Sequence, residues 1–516
     1  MGVKDLWQIL DSVAERAVDL CEYEGKTVAV DLGFWVCELQ SVVKDTGPGA
    51  HKLYLRNLFF RLWTLLRAGV KPLFVTEGKP PALKQEIIKK RLKTGSKGQV
   101  NRSRFNGCLN ECKEMLQALG FAVVQAPGEA EATCATLNAA GLCEAVLSDD
   151  GDAFLYGALT VLRRFNVDKR TKRPLVDRYD VGQLEGALKL DRAKLCGLAL
   201  MLGCDYGEKG LPGVGKETAL KFLSQFDSGQ DCLDRLQTLS TCKDPSTKVE
   251  TSLSSKMPSD FPNMAIVEEF LSSNNNPDHC VDVKFQWKLA DFHLAKEFFM
   301  RHLDWTAEYC VEKLVPLLTL WSQFVLADAG TLGLDSTEET MRPIRIVKRR
   351  QCNFVDSFEV QWPKLESDRS TSQSFYVTLE SAKLFGRAYP EVVETFEASE
   401  NEQKFKKKSS KKSVKKRTEK IQLKSAKMAE GALQDSGEPS LNDSLVLFPD
   451  DASLADTGSE ETENTPPAED VCEKLTQMTL LKDESNKSTG PTVAESAASP
   501  LPLRERLRRM GVDVSP

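Results

Sequence analysis

The chain has 516 residues, more than one hydrophobic core accommodates, so at least two folded units plus connecting or terminal segments are expected. Its hydrophobic fraction of 41% includes no uninterrupted apolar run near the ~18–20 residues that a bilayer span needs, so no membrane association is expected. The formal charge of −6 averages unlike segments, with Lys404–Lys420 dense in lysine and Glu430–Glu473 in acids, and so excludes no polyanionic partner. The 14 cysteines form no CxxC pair, and Met1–Leu10 lacks a basic segment ahead of an apolar block. Reduced thiols in the cytosol or nucleus are expected, not disulfides or a zinc site.

In chain order, short β-rich apolar runs alternate with helical patterns up to about residue 225. This predicts an α/β fold, a mostly parallel twisted sheet with helices on both faces. Thr27–Val30, Leu73–Val75 and Ala145–Leu147 are the clearest buried strands. A basic stretch between Glu77 and Glu129 carries Lys79, Lys84, Lys89, Lys90, Arg91, Lys93, Lys97, Arg102 and Arg104; by itself it reads equally as a solvated helix face. From Asp191 to Phe222 the pattern is helical, interrupted by the Gly/Pro-rich turn Gly207–Gly215. Ser240–Ser259 is polar and expected to be a loop or insertion, with helices resuming at Asn263–Leu271 and Leu289–Leu326. β-Formers then recur over Pro343–Trp362, and Ser381–Phe396 predicts one amphipathic helix. Beyond residue 398 the chain is too polar to offset its ordering entropy, so disorder is expected over 399–516. Lys406–Lys408, Lys411, Lys412 and Lys415–Arg417, within a basic cluster at 404–420, read as a nuclear localisation signal or a non-specific DNA-binding stretch.

Three buried runs each end in acid: Val28-Ala29-Val30 in Asp31, Leu73–Thr76 in Glu77, and Val146-Leu147-Ser148 in Asp149-Asp150-Gly151-Asp152. In an open α/β sheet ligands bind beyond the carboxyl ends of the strands. Acids gathered there repel one another unless cations neutralise them, and all-oxygen ligation selects Mg2+ or Mn2+ over zinc. Glu129 and Glu131 precede an apolar helical stretch, and Asp205 follows Leu202-Gly203-Cys204. Taken singly, each acid reads more readily as a helix cap or turn residue than as a metal ligand.

With Met1-Gly2-Val3-Lys4-Asp5-Leu6-Trp7 at the front, these segments resemble the flap endonuclease/xeroderma pigmentosum group G family of structure-specific nucleases over roughly residues 1–330. The resemblance implies that Asp31, Glu77, Glu129, Glu131, Asp150, Asp152 and Asp205 bind two Mg2+ ions per site, with Mn2+ a substitute, for two-metal phosphodiester hydrolysis. Glu77 stands where many members carry Asp, and Asp149 matches no ligand position. The same resemblance makes residues of about 78–110 an arch in which Lys84 and Arg91 face the scissile phosphate. It makes about 191–222 a helix-two-turn-helix in which Gly213, Gly215 and Lys216 grip duplex backbone, with a K+ ion bound there. Gly2 joins these as a DNA contact. The arch looks short for capping a threaded 5′ end, which favours a continuous, branched duplex.

Residues 340–398, with Pro343–Val347, Phe358–Trp362 and Ala388–Val393, resemble the chromodomain that follows the nuclease core in eukaryotic junction resolvases. Phe358, Trp362 and Phe375 make no convincing methyl-lysine cage, so DNA contact is the preferred role. The expected function is a nuclear Holliday junction resolvase for recombination and repair, monomeric when free and paired on a four-way junction to nick two strands symmetrically. A 5′ flap or gap endonuclease on the same scaffold is the alternative. A catalytically inactive DNA- or chromatin-binding scaffold is the alternative of another class.

Overall fold

The computed structural model describes residues 2–41, 52–85, 97–206, 209–271, 285–329, 341–352, 355–364 and 375–402. They fall in two compact units, the first built mainly from residues up to Met341 and the second from Arg342 onward. In the first unit, Glu15–Asp19 (β1), Thr27–Asp31 (β2), Lys71–Thr76 (β3), Val123–Gln125 (β4), Ala145–Leu147 (β5), Thr160–Val167 (β6) and Pro174–Asp180 (β7) form one sheet. Its order is β1-β7-β6-β5-β2-β3-β4.

The run β6-β5-β2-β3-β4 is parallel throughout, whereas β7 pairs antiparallel with both β6 and β1. The sheet is thus parallel where the sequence predicts it and carries an antiparallel edge. Central β2 shows why its pattern is unbroken: Val28, Ala29 and Val30 are fully buried, as covered parallel strands are. Helix Leu53–Arg67 buries Tyr54, Leu55, Leu58, Phe59, Leu62, Leu65 and Leu66, a stripe at helical spacing.

Register does the positioning. Asp31 pairs with Val75 and Val30 with Leu147, so β2, β3 and β5 finish level. Asp31, Glu77 and the Asp149–Asp152 turn therefore leave the sheet at one rim.

One sequence expectation in this unit changes. Ser240–Ser259 is not simply a loop, because helix Gly229–Cys242 runs into it and helix Lys248–Ser254 lies inside it. The latter is capped by Thr247, whose side chain accepts from the Glu250 N–H at 3.2 Å, a local signal hidden by overall polarity. Helix Ala307–Ala329 is long and apolar enough to cross a bilayer by length and composition, but 67% of its apolar stretch is buried. Its Trp321 ring packs on Phe121 at 4.1 Å, which is core packing.

In the second unit, Arg345–Cys352 (β8), Val355–Pro363 (β9) and Phe375–Ser381 (β10) form a three-stranded sheet in the order β10-β9-β8. The single helix predicted over Ser381–Phe396 is two. Ala382–Ala388 ends at Tyr389 (φ −136°, ψ 61°), and a second helix spans 390–402. Pro390 supplies the reason, since a residue preceding proline is pushed out of the helical region. The second helix also carries order four residues past 398, to 402, where the sequence predicted disorder. The rest of that tail, with its basic cluster, lies outside the described residues. Phe358 and Trp362 are core residues packed around Phe385 and not an aromatic cage, and the Trp362 Nε1–H donates to Thr378 Oγ1 at 2.7 Å.

Candidate metal centre

Each acid at the rim is held by a local feature. Asp31, the last residue of β2, accepts the Phe34 N–H at 3.0 Å and so starts helix Leu32–Ser41. Glu77 follows β3 and accepts the Ala130 N–H at 3.0 Å, tying the strand end to helix Ala130–Ala139. Glu129 is the N-cap of that helix and Glu131 lies in its first turn, where the macrodipole favours negative charge. Carboxylate oxygens of Glu77, Glu129 and Glu131 lie within 4.8 Å of one another, the spacing of ligands around a shared cation.

The other acids come from the turn after β5 and from the segment after helix Arg192–Leu202. Asp150 accepts the Asp152 N–H at 3.1 Å, while Asp152 accepts the Val3 N–H at 2.9 Å. Half-buried Asp205 raises the proton affinity of both aspartates. Asp150 in turn acts on Asp31 and Glu131, so the seven acids form one electrostatically connected cluster.

Crowding and burial leave their mark on proton affinity. Asp31 is pushed up to about 7, first by burial and then by Asp150 and Glu129, against the Phe34 and Gly33 N–H groups that favour its ionised form. Glu77 is pushed up to about 8 by burial, Asp31 and Glu129. Burial is also the main reason that Glu131 and Asp152 stand well above the usual carboxylate range. The Cys37 thiol is pushed up to about 12 by burial and by the fields of Asp31 and Glu77.

Lys84 pairs with Glu129 from a helical turn just after Pro81. Burial alone would lower its ammonium, but Glu129 and Glu131 hold it well above its usual value. One ammonium cannot offset seven carboxylates. The donors are all oxygen, and hard divalent cations such as Mg2+ or Mn2+ fit them.

Gly2 lies over this cluster at φ +82°, and a Cβ there would stand 2.7 Å from Asp152 Oδ1 and closer still to Asp150. Only glycine lets the chain start pass so near the acids. Asp149 turns the other way, pairing with Arg163 Nε at 3.0 Å and accepting the Arg164 N–H at 3.0 Å. Arg91, with Lys89, Lys90 and Lys93, lies outside the described residues. From Lys97 the chain is the helix Lys97–Ala118, so the last part of the expected arch is helical.

At the glycine turn, Gly213 takes φ +66° and Gly215 caps helix Lys216–Leu223. Lys216 is half-buried and reaches Gln8 Oε1 at 3.0 Å. Lys256 donates to the Gly213 carbonyl at 3.0 Å, a contact that sequence reasoning missed. Nothing local signals it, because 43 residues separate the partners.

A mostly parallel sheet whose strand ends converge on buried carboxylates is an α/β domain with a candidate site for hard divalent cations. Residues 1–97 match the XPG N-terminal domain, 120–205 the XPG I-region and 342–398 the chromatin organization modifier domain 2. The flap endonuclease GEN homolog 1 of Mus musculus is 37% identical over 483 residues, 80% of this chain and 52% of the relative. Flap endonuclease 1 of Aspergillus flavus is 30% identical over 332 residues, 58% of this chain and 80% of the relative. The crystal structure of human GEN1 in complex with Holliday junction DNA matches with a TM-score of 0.65 at 38% identity, covering 79% of this chain and 100% of that one. The chain belongs to the flap endonuclease/xeroderma pigmentosum group G family of structure-specific nucleases. It spans about half the length of the mouse relative.

Proposed function

We propose that this protein is a Mg2+-dependent endonuclease that resolves four-way DNA junctions, with Asp31, Glu77, Glu129, Glu131, Asp150, Asp152 and Asp205 holding the metal. The carrying observation is the carboxylate cluster, whose crowding fits divalent cations and which stands at the strand ends, where open α/β sheets bind their ligands. Bound there, Mg2+ supplies Lewis acidity for hydrolysis. The chain itself orients the carboxylates through the Phe34, Ala130 and Val3 N–H groups and keeps Lys84 beside the cluster as a phosphate contact. Gly213, Gly215 and Lys216 hold duplex backbone away from the chemistry, with K+ joining at that turn, and Gly2 lets DNA approach the acids.

The human relative captured with Holliday junction DNA favours the junction as substrate. On a two-fold junction, two copies of a protein that is monomeric when free would each nick one strand, inside the nucleus, during recombination and repair. The Aspergillus relative, a flap endonuclease, favours 5′ flap cleavage as the second reading. Synthetic four-way junctions, nicked junctions and 5′ flaps, incubated with Mg2+, separate the two. Paired symmetric nicks within one complex on the intact junction are expected. Equal cutting of all three by a monomer overturns the junction assignment. Asp31→Asn abolishes cutting, whereas chelation leaves DNA binding measurable; cutting that survives Asp31→Asn overturns the metal assignment.

A further inference from the structure

Asp149 is the one acid of the strand-end turn that faces away from the cluster, and its surroundings give it another task. Its carbonyl accepts the Trp7 Nε1–H at 2.8 Å. Its carboxylate accepts the Arg164 N–H at 3.0 Å and pairs with Arg163 Nε at 3.0 Å. The Arg163 guanidinium lies 4.2 Å over the Trp7 ring.

The backbone is bent to make these contacts. Arg164 takes φ +56° where β6 slips register between Arg163 and Asn166. A non-glycine residue in that region is strained, and the slip aims its N–H at Asp149. Trp7 belongs to helix Leu6–Leu10, which begins three residues after Val3. Val3 donates to Asp152, and a Cβ on Gly151 would stand only 2.8 Å from Leu6. The start of the chain, the turn carrying Asp150 and Asp152, and the β6 bulge therefore close one ring of contacts.

We infer that Asp149 and Arg163 act as positioning residues, a clamp that locks Trp7 and thereby fixes Asp150 and Asp152 in metal-binding geometry. The inference rests on the metal-dependent nuclease reading above. Groups that orient metal ligands from outside typically account for about 10–100-fold in metal affinity or activity.

The test uses full-length protein and a four-way junction. Mn2+ binding is followed by the paramagnetic resonance of the free ion, and cleavage is followed as a function of Mn2+. Arg163→Ala and Asp149→Asn are each expected to raise the Mn2+ half-saturation about tenfold, with cleavage recovering as Mn2+ is raised and junction binding in chelator unchanged. The double variant is expected to be no worse than the weaker-binding single, because both break one device. Arg163→Lys, which keeps a cation beside Asp149, restores part of the affinity.

Unchanged Mn2+ isotherms in both single variants overturn the clamp, as do fully additive losses. Should Arg163→Ala fail to fold, the near-isosteric Asp149→Asn decides the matter. Asp31→Asn is run alongside: normal Mn2+ binding and cleavage in that variant overturns the metal reading itself, whereas an inactive Asp31→Asn with unaffected clamp variants overturns the clamp alone.

Discussion

Replacing Asp31 by Asn removes one carboxyl from the cluster while keeping an oxygen to accept the Phe34 N–H. In the metal-free fold this carboxyl holds its proton up to about 7, against an ordinary value of 3.8, because burial and neighbouring acids disfavour the charge. That difference corresponds to on the order of 4 kcal/mol. Relaxation of the cluster and water entering it reduce the net effect to about 2 kcal/mol. For a folded unit of this size that is a rise in Tm of roughly 4 °C.

The sign follows from linkage. The folded pKa is raised, so the stability tied to this group is fully present below 3.8 and lost as pH rises through about 7. Asparagine does not titrate. The gain from Asp31→Asn is therefore absent in acid, grows across that interval and is flat above it. Thermal melts in chelator across a pH series read this directly, and the same melts in excess Mg2+ should reverse the order, since only the wild type gains a full ligand set. A variant that melts no higher than wild type in chelator at pH ~8, or a gain that ignores pH, refutes the reasoning that the carboxylates are mutually destabilising without metal.

Other outcomes are equally specific. Gly2→Ala places a side chain 2.7 Å from Asp152 Oδ1 at φ +82°, and about tenfold or greater loss of Mg2+-dependent junction cleavage is expected in single-turnover assays. Lys216→Ala should weaken junction and non-specific duplex binding alike and reduce the salt slope of binding by about 1, as seen in titrations at several salt concentrations. Trp362→Phe deprives the buried Thr378 hydroxyl of its Nε1–H donor, destabilising the second unit by about 1–3 kcal/mol in urea unfolding while leaving metal-dependent cleavage intact.

The strands behind the site were legible because they are local objects. Val28–Val30 and Ala145–Leu147 are short apolar runs closed by acid, and a parallel strand buried on both faces must look that way. The break at Tyr389 is equally local, written in Pro390, although the apolar periodicity runs through it and by itself predicts one helix over Ser381–Phe396. The helix Lys248–Ser254 was hidden because its polar residues obscure a cap that only two buried side chains accompany.

What the sequence by itself determined is the inventory: acids at three strand ends, a glycine turn before Lys216, and a family resemblance that assigned Asp31, Glu77, Glu129, Glu131, Asp150, Asp152 and Asp205 to one task. Tertiary structure decided how that inventory is aimed. Level strand ends bring Asp31 and Glu77 to one rim, Gly2 crosses over Asp150, and Lys256 reaches Gly213. Asp149, chemically identical to its neighbour Asp150, points instead to Arg163. A residue's type fixes which bonds it can make, but its direction depends on register and on partners far along the chain, 149 positions for Val3 and Asp152 and 208 for Gln8 and Lys216, and no local pattern carries that.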